Sequence, residues 1–458
     1  MKNVGILLPV ASLPGRHGIG DFGDASFKFI NWLRKKHFDY WQVLPLNPLG
    51  PGFSPYLTTC SKAIDHRYIS LDELEKDGLI DKVPNFHDGT NKIRYNAVGN
   101  FKLPYLRQAY RKYMEGPQNG LKKFKTKNPW VMEYATYMIF SYLNKNKPWN
   151  KWKTSERDYF LKHRTLPKKH LDKVNFIVFI QYIAFKQWKH VLAYAHEKGI
   201  KVIGDLPFYV GFDSVDCWVN RDQFLLDENY NPRFVGGVPP DYFSKKGQRW
   251  GNPIYDFEKM KNDKYAFLID RIAYMNNLFD IIRLDHFRAF DTYYVIPAHR
   301  EDAVEGEWRK GPGSDFFDEL FLKHKKISLI AEDLGLLVPS VYELRDKYHL
   351  PGMNVIQFTI FDEGFKDNEN LVVYSGTHDN ETLWGWYKNL SKENKKRIIR
   401  LIHTDKDVFQ RLLEYIIDKP SKMTILPMWD YLGLGNSARL NIPGTVGSPN
   451  FEWKLRRI

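Results

Sequence analysis

Cysteine is almost absent: Cys60 and Cys217 are the only two in 458 residues. Two thiols so placed exclude a disulfide framework and match no metal-ligand spacing, which favours a reducing cytoplasm. Long apolar runs are missing as well. The N-terminal stretch MKNVGILLPVASLPG carries one Lys before a short apolar run, but Pro9 interrupts it, so it is not expected to act as a signal peptide. Nowhere else does an apolar stretch approach the roughly 20 residues needed to span a bilayer. Blocks of like charge are also lacking. The balance is basic, 68 Lys and Arg against 54 Asp and Glu, yet the cations come in short groups such as RKK at 34–36 and KNDK at 261–264. A nucleic-acid-binding chain wants a concentrated basic stripe with a recognisable motif, and neither is present. The charge therefore reads as solvated surface. No H-E-x-x-H, Walker or EF-hand pattern occurs, and no metal or other cofactor is expected.

One pattern imitates a nucleotide site. GIGDFG, residues 18–23, satisfies G-x-G-x-x-G between a strand and a helix. A dinucleotide fold needs its first Gly at the strand's end and an acidic residue closing the next strand. Here Val10 lies well before Gly18 and the next strand ends near Asn47, so the glycines read as loop geometry.

What is present is enough apolar text, 43% of residues with 16% aromatic, for one large core. Short apolar runs ending in polar or Gly/Pro signals give eight strand candidates, at 4–10, 40–46, 201–208, 281–287, 328–333, 353–358, 371–379 and 423–430. Helical patterns lie between several of them. Near-continuous apolar strands alternating with helices predict an α/β fold, a closed (β/α)8 TIM barrel. The chain is read as a single catalytic barrel over 1–458. Between residues 47 and 200 no new barrel strand is expected, and 63–172 reads as a mostly helical insertion after strand two. A long loop and helical connection is expected over 209–280 on the C-terminal face. Within it a lid loop after strand three, 237–253, carries Tyr242, Phe243 and Trp250.

The chemistry starts from IIRLDHFRAF, 281–290. Arg283 and Asp285, two apart in a strand, share one face. Burying either alone is costly, so they are expected to compensate each other; a purely structural ion pair would look the same on this strand. Strand five, however, ends in AEDLG with Glu332, and strand seven in GTHDN with Asp379. Barrel strand ends converge, and three carboxylates crowded at one mouth repel, which packing does not explain. Carboxylates without a metal motif or nucleophilic Ser or Cys point to glycosyl transfer, in which one attacks the anomeric carbon and another protonates the leaving oxygen. His378 would suit sugar hydroxyls. Asp285, facing a guanidinium, is expected to have a lowered pKa and Glu332 a raised one. An α-glucan hydrolase on the same carboxylates and a non-catalytic glucan-binding barrel remain open alternatives.

RLDHFRAF, AEDLG and GTHDN, together with GDLPFYV, GVPPDYFSKKGQRWGNP and PGMNVIQF, resemble the 4-α-glucanotransferases called amylomaltase or disproportionating enzyme, family 77 of the glycoside hydrolases. The resemblance runs in order from SLPGRHGIGDFG to LGLGNSARLNIPGT. It implies a cytoplasmic, retaining transferase acting on α-1,4-glucans and maltooligosaccharides through a covalent intermediate, without nucleic-acid or membrane partners. It also implies that Asp285 is the nucleophile, Glu332 the acid/base and Asp379 the carboxylate that stabilises the transition state. Arg283 would align Asp285, while Asp205, His378, Tyr56, Trp250 and Gln248 would bind or line the sugar cleft. Departures from the family's usual text fall at Pro51, Phe53, Leu57, Ala289 and Trp429.

Overall fold

A computed structural model describes residues 3–86, 89–162, 166–240, 244–335 and 337–458. Eight parallel strands form the centre: β1 (Val4–Leu7), β2 (Tyr40–Gln42), β3 (Lys201–Leu206), β4 (Ile281–Leu284), β5 (Leu329–Ala331), β6 (Gly352–Val355), β7 (Leu371–Tyr374) and β8 (Met423–Pro427). They pair in the order β6-β7-β8-β1-β2-β3-β4-β5. One seam is left between β5 and β6, where the Ala331 N–H donates to the Pro351 carbonyl at 2.8 Å. The result is a nearly closed barrel.

Alternation explains how it fills. Leu7, Ile203, Ile330, Val355, Val372 and Ile425 belong to one buried cluster inside the barrel, and the outward residues join a larger cluster with the surrounding helices. Gly5 faces Tyr40 in register. A Cβ there would lie 2.5 Å from the Tyr40 Cβ, so only glycine leaves room for that ring. Moving along β3 and β4, the inward residue changes from Ile203 to Asp205 and from Ile281 to Arg283. The apolar filling therefore gives way to charge toward the C-terminal mouth.

All eight strands end sooner than expected, and all but β6, which starts one residue early at Gly352, lie within their expected intervals. Expected strand 281–287 stops at Leu284 because His286 turns left-handed at φ 53° and a 3-10 turn, Phe287–Phe290, follows. Likewise 423–430 stops at Pro427, where the helix Met428–Tyr431 starts. The residues of interest thus sit just past the strands, in the turns.

Between β2 and β3 the described residues form helices and short turns without a strand, including Tyr95–Met114, Asn119–Lys127, Trp130–Leu143 and the 30-residue helix Lys168–Glu197. The connection from β3 to β4 holds more than loop and helix. Phe234–Val238 and Gln248–Pro253 pair antiparallel, and Thr292–Pro297 and Glu307–Lys310 from beyond β4 extend them to a four-stranded sheet. From the sequence, 209–280 reads only as a loop and helical connection rich in Gly, Pro and aromatics, with no strand in it. Gln248 and Trp250 therefore lie on a paired strand. Tyr242 and Phe243 lie outside the described residues. Among the described residues no helix is long and apolar enough to cross a membrane.

Candidate active site

Strand pairing assembles the charged mouth. In the β3–β4 ladder Asp205 lies opposite Arg283, and the Arg283 guanidinium donates from Nη1 to both Asp205 carboxylate oxygens at 2.8 Å. The same Nη1 donates to Asp285 Oδ1 at 3.0 Å. Burial opposes the charge on Arg283, but the carboxylates of Asp205 and Asp285 outweigh it and hold the group protonated. The Tyr56 hydroxyl donates to Asp205 Oδ2 at 2.7 Å. Its ring stacks on His378 with centroids 5.1 Å apart and planes 10° apart.

The second carboxyl comes from the next strand. Glu332 follows β5, its N–H donating to the Leu284 carbonyl while Asp285 donates to Leu206, so the two sit at neighbouring strand ends. Glu332 Oε2 accepts the backbone N–H of His286 at 2.6 Å. That contact requires the left-handed turn at His286, an uncommon conformation for a residue with a side chain.

Electrostatics separates the pair. Burial pushes Glu332 up to about 8; the negative Asp285 adds to this, and Arg283 and the His286 N–H reduce it. Asp285 also rises, to about 7, because burial outweighs Arg283. The sequence-based expectation of a lowered pKa for Asp285 is therefore corrected: one guanidinium is divided between two carboxylates, and its pull does not repay the lost water. The two carboxyls titrate together. Asp285 holds the hydrogen bond to Arg283 and Glu332 only a neutral N–H donor, which favours the proton on Glu332.

Asp379 closes the group from β7. His378 is 4% exposed. Its Nε2 lies 3.3 Å from Asp379 Oδ1, and the Asp379 side chain is 44% exposed. Burial lowers the pKa of His378 against the pull of Asp379. Asp379 itself is held from the C-terminal segment: Asn441 Nδ2 donates to its Oδ1 at 2.6 Å, and Arg439 Nη2 donates to its carbonyl at 2.7 Å.

The structure thus brings Tyr56, Asp205, Arg283, Asp285, His378 and Asp379 into one connected group, with Glu332 alongside. Trp250 and Gln248 make no direct contact with a carboxylate of that group. Trp250 donates to Gln248 Oε1 at 3.2 Å and meets the His286 ring edge-on at 5.0 Å. His286, Arg439 and Asn441 were not singled out from the sequence. His286 stands inside RLDHF and the other two inside NSARLN, so motif text marked the places without revealing the contacts.

Two carboxyls at neighbouring strand ends, with Tyr56 hydrogen-bonded to Asp205 beside them, suit the attack and protonation of a glycosidic bond. The description of the family model that matches residues 8–458 is 4-alpha-glucanotransferase. The chain belongs to the 4-alpha-glucanotransferase family. It is 36% identical over 472 residues to the 4-alpha-glucanotransferase of Aquifex aeolicus, covering 100% of this chain and 96% of that one. With the 4-alpha-glucanotransferase of Thermus thermophilus it shares 36% identity, covering 98% and 94%. The fold is similar to that of amylomaltase from Streptococcus agalactiae in complex with acarbose, at TM-score 0.94 and 30% identity, covering 100% of this chain and 95% of that one. These matches run over nearly the whole of this family member and of its relatives.

Proposed function

We propose that this chain moves α-1,4-glucan segments between maltooligosaccharide, starch or glycogen-like chains, with Asp285 as nucleophile and Glu332 as acid/base. The observation that carries this is the unequal pair: Asp285 hydrogen-bonded to Arg283, and Glu332, with no cation bonded to it, raised to about 8. In the first step the Asp285 carboxylate attacks the anomeric carbon while Glu332 gives its proton to the departing 4-oxygen. In the second, ionised Glu332 takes the proton of an acceptor 4-hydroxyl, which displaces Asp285. Two inversions retain the α configuration. Asp379, presented at the mouth by Asn441, binds ring hydroxyls and strengthens its hold as charge develops on the sugar. Tyr56 and His378 form a flat wall for a sugar ring, and Trp250 with Gln248 lines the acceptor side.

Transfer in place of hydrolysis follows from acceptor binding and from keeping water out. Trp250 follows the paired Gln248 and Arg249 and is positioned by its hydrogen bond to Gln248 and its edge-on contact with His286, so it offers the acceptor an aromatic surface. We treat 1–458 as one catalytic unit, with 63–172 a mostly helical insertion and 209–280 a connection over the C-terminal face of the barrel. The buried free thiols of Cys60 and Cys217 fit residence in a reducing cytoplasm.

Incubation of the purified protein with maltotriose tests the reading directly. A ladder of longer oligosaccharides plus glucose is expected, and none from Asp285→Asn. Glucose and maltose alone would mean that water is the acceptor, and an active Asp285→Asn variant would remove the proposed nucleophile.

A further inference from the structure

A cavity of about 1090 Å³ away from the mouth opens between the helices Asn119–Lys127, Trp130–Leu143 and Lys168–Glu197 on one side and Ala266–Met275 on the other. No residue of the candidate active site lines it. Its floor is aromatic, with Phe124, Trp130, Tyr182, Phe185 and Tyr274 packed ring against ring at 5.5 to 6.1 Å.

Its lining carries charge of both signs. Lys123 and Lys127, one turn apart on one helix, and Lys186 and Lys189, one turn apart on the next, line it together. Lys186 pairs with Asp77 at 2.6 Å; Lys123, Lys127 and Lys189 have no ion pair among the described residues, and all three are exposed. Like charges at such spacing repel, a cost that an anion would relieve. The acidic residues of the lining gather around Lys62. Glu133 lies within electrostatic reach of Lys62, Asp216 and Asp270, Lys62 pairs with Asp270, and Asp216 accepts the Ser61 N–H at 2.8 Å.

We infer that this cleft is a binding site for a phosphorylated ring compound, its phosphate held by Lys123, Lys127 and Lys189 and its ring laid on the aromatic floor. Glu133 and Asp270, which also line the cleft, then accept hydroxyl groups. Lysine supplies point charges suited to a phosphate, and aromatic faces suit a sugar ring or a base. The cleft exceeds one hexose in size, so a sugar phosphate and a nucleotide share the required chemistry.

Calorimetric titration of the full chain with glucose 1-phosphate, adenosine monophosphate, inorganic phosphate and glucose tests the site. Saturable binding of at least one phosphorylated ring compound is expected, tighter than that of phosphate or glucose. The better of the two identifies the source of the ligand. Replacing Lys123, Lys127 and Lys189 together by Gln should weaken it at least about tenfold, with maltotriose disproportionation unchanged. Saturating maltotriose should leave the binding intact. Binding that maltotriose displaces would place the ligand in the active site and overturn the assignment. So would equal binding by the triple variant, or no binding at millimolar ligand.

Discussion

The two halves of the mouth are built from different materials. Around β3, β4 and β5 the chain buries Asp205 and Arg283 and half-buries Asp285 and Glu332, so position is fixed by charge and the proton balance is shifted. Around β7 and β8 it uses neutral partners: Asn441 holds the carboxylate of Asp379, and Asn380 Oδ1 accepts both the N–H and the hydroxyl of Thr377 at 2.8 Å. The first half sets which carboxyl carries a proton. The second sets where a half-exposed carboxylate points. A reaction that needs a nucleophile and an acid as well as a sugar clamp requires both, and substitutions should separate them.

The largest effect is expected at Glu332. Glu332→Gln keeps the contact to the His286 N–H but removes the transferable proton, so kcat on maltotriose should fall about 10²- to 10⁴-fold. An α-glucosyl fluoride, whose leaving group needs no protonation, should recover much of the first step. Equal loss on both substrates would show that Glu332 is not the acid. Next comes Arg283. Arg283→Met leaves Asp205 and Asp285 facing each other without a cation, which should cost about 3–5 kcal/mol of stability in denaturant melts, together with activity. Adding Asp205→Asn should return much of the stability and none of the activity. If the double variant melts as low as the single one, mutual compensation is not what holds this half together.

On the neutral side the expected loss is smaller. Asn441→Ala removes one hydrogen bond to a carboxylate, about 1.5–3 kcal/mol by general experience. Because Asp379 is partly solvated, the low end applies, about a tenfold fall in kcat/KM with the melting temperature nearly unchanged. Asn441→Asp, which sets two carboxylates against each other, should be worse than Asn441→Ala. The opposite ranking would mean that the amide only fills space.

The same division explains what could be read from the sequence. The barrel was legible because its strands are apolar runs with punctuation, and Arg283 with Asp285 was legible because a strand places i and i+2 on one face. The convergence of Asp285, Glu332 and Asp379 followed from topology, since parallel barrel strands end at one mouth. The Asn441 contact crosses 62 residues, and no local rule links a segment after the last strand to the turn after β7. The four-stranded sheet was hidden for a related reason, as its strands come from both sides of β4 and pair only in space. The direction of the Asp285 shift was misjudged because a sequence shows that Arg283 is near but not that Asp205 also draws on it, nor how much water is excluded.

The smallest effect sharpens the comparison through pH. Folding raises Glu332 to about 8, so the folded chain binds that proton more tightly than the unfolded chain does. The resulting stability is fully present below the ordinary carboxyl range and is lost as pH rises through 8. Glu332→Gln cannot ionise and escapes that loss. Its melting temperature should gain on the parent's as pH goes from about 6 to about 9, a change that Asn441→Ala should not show. Activity should follow the same pair, falling below about 7 as Asp285 takes up a proton and above about 8 as Glu332 releases its own. A parent and Glu332→Gln variant whose melting curves run parallel across this range would place the tightly held proton on some other group, and Asp285 would be the first to test.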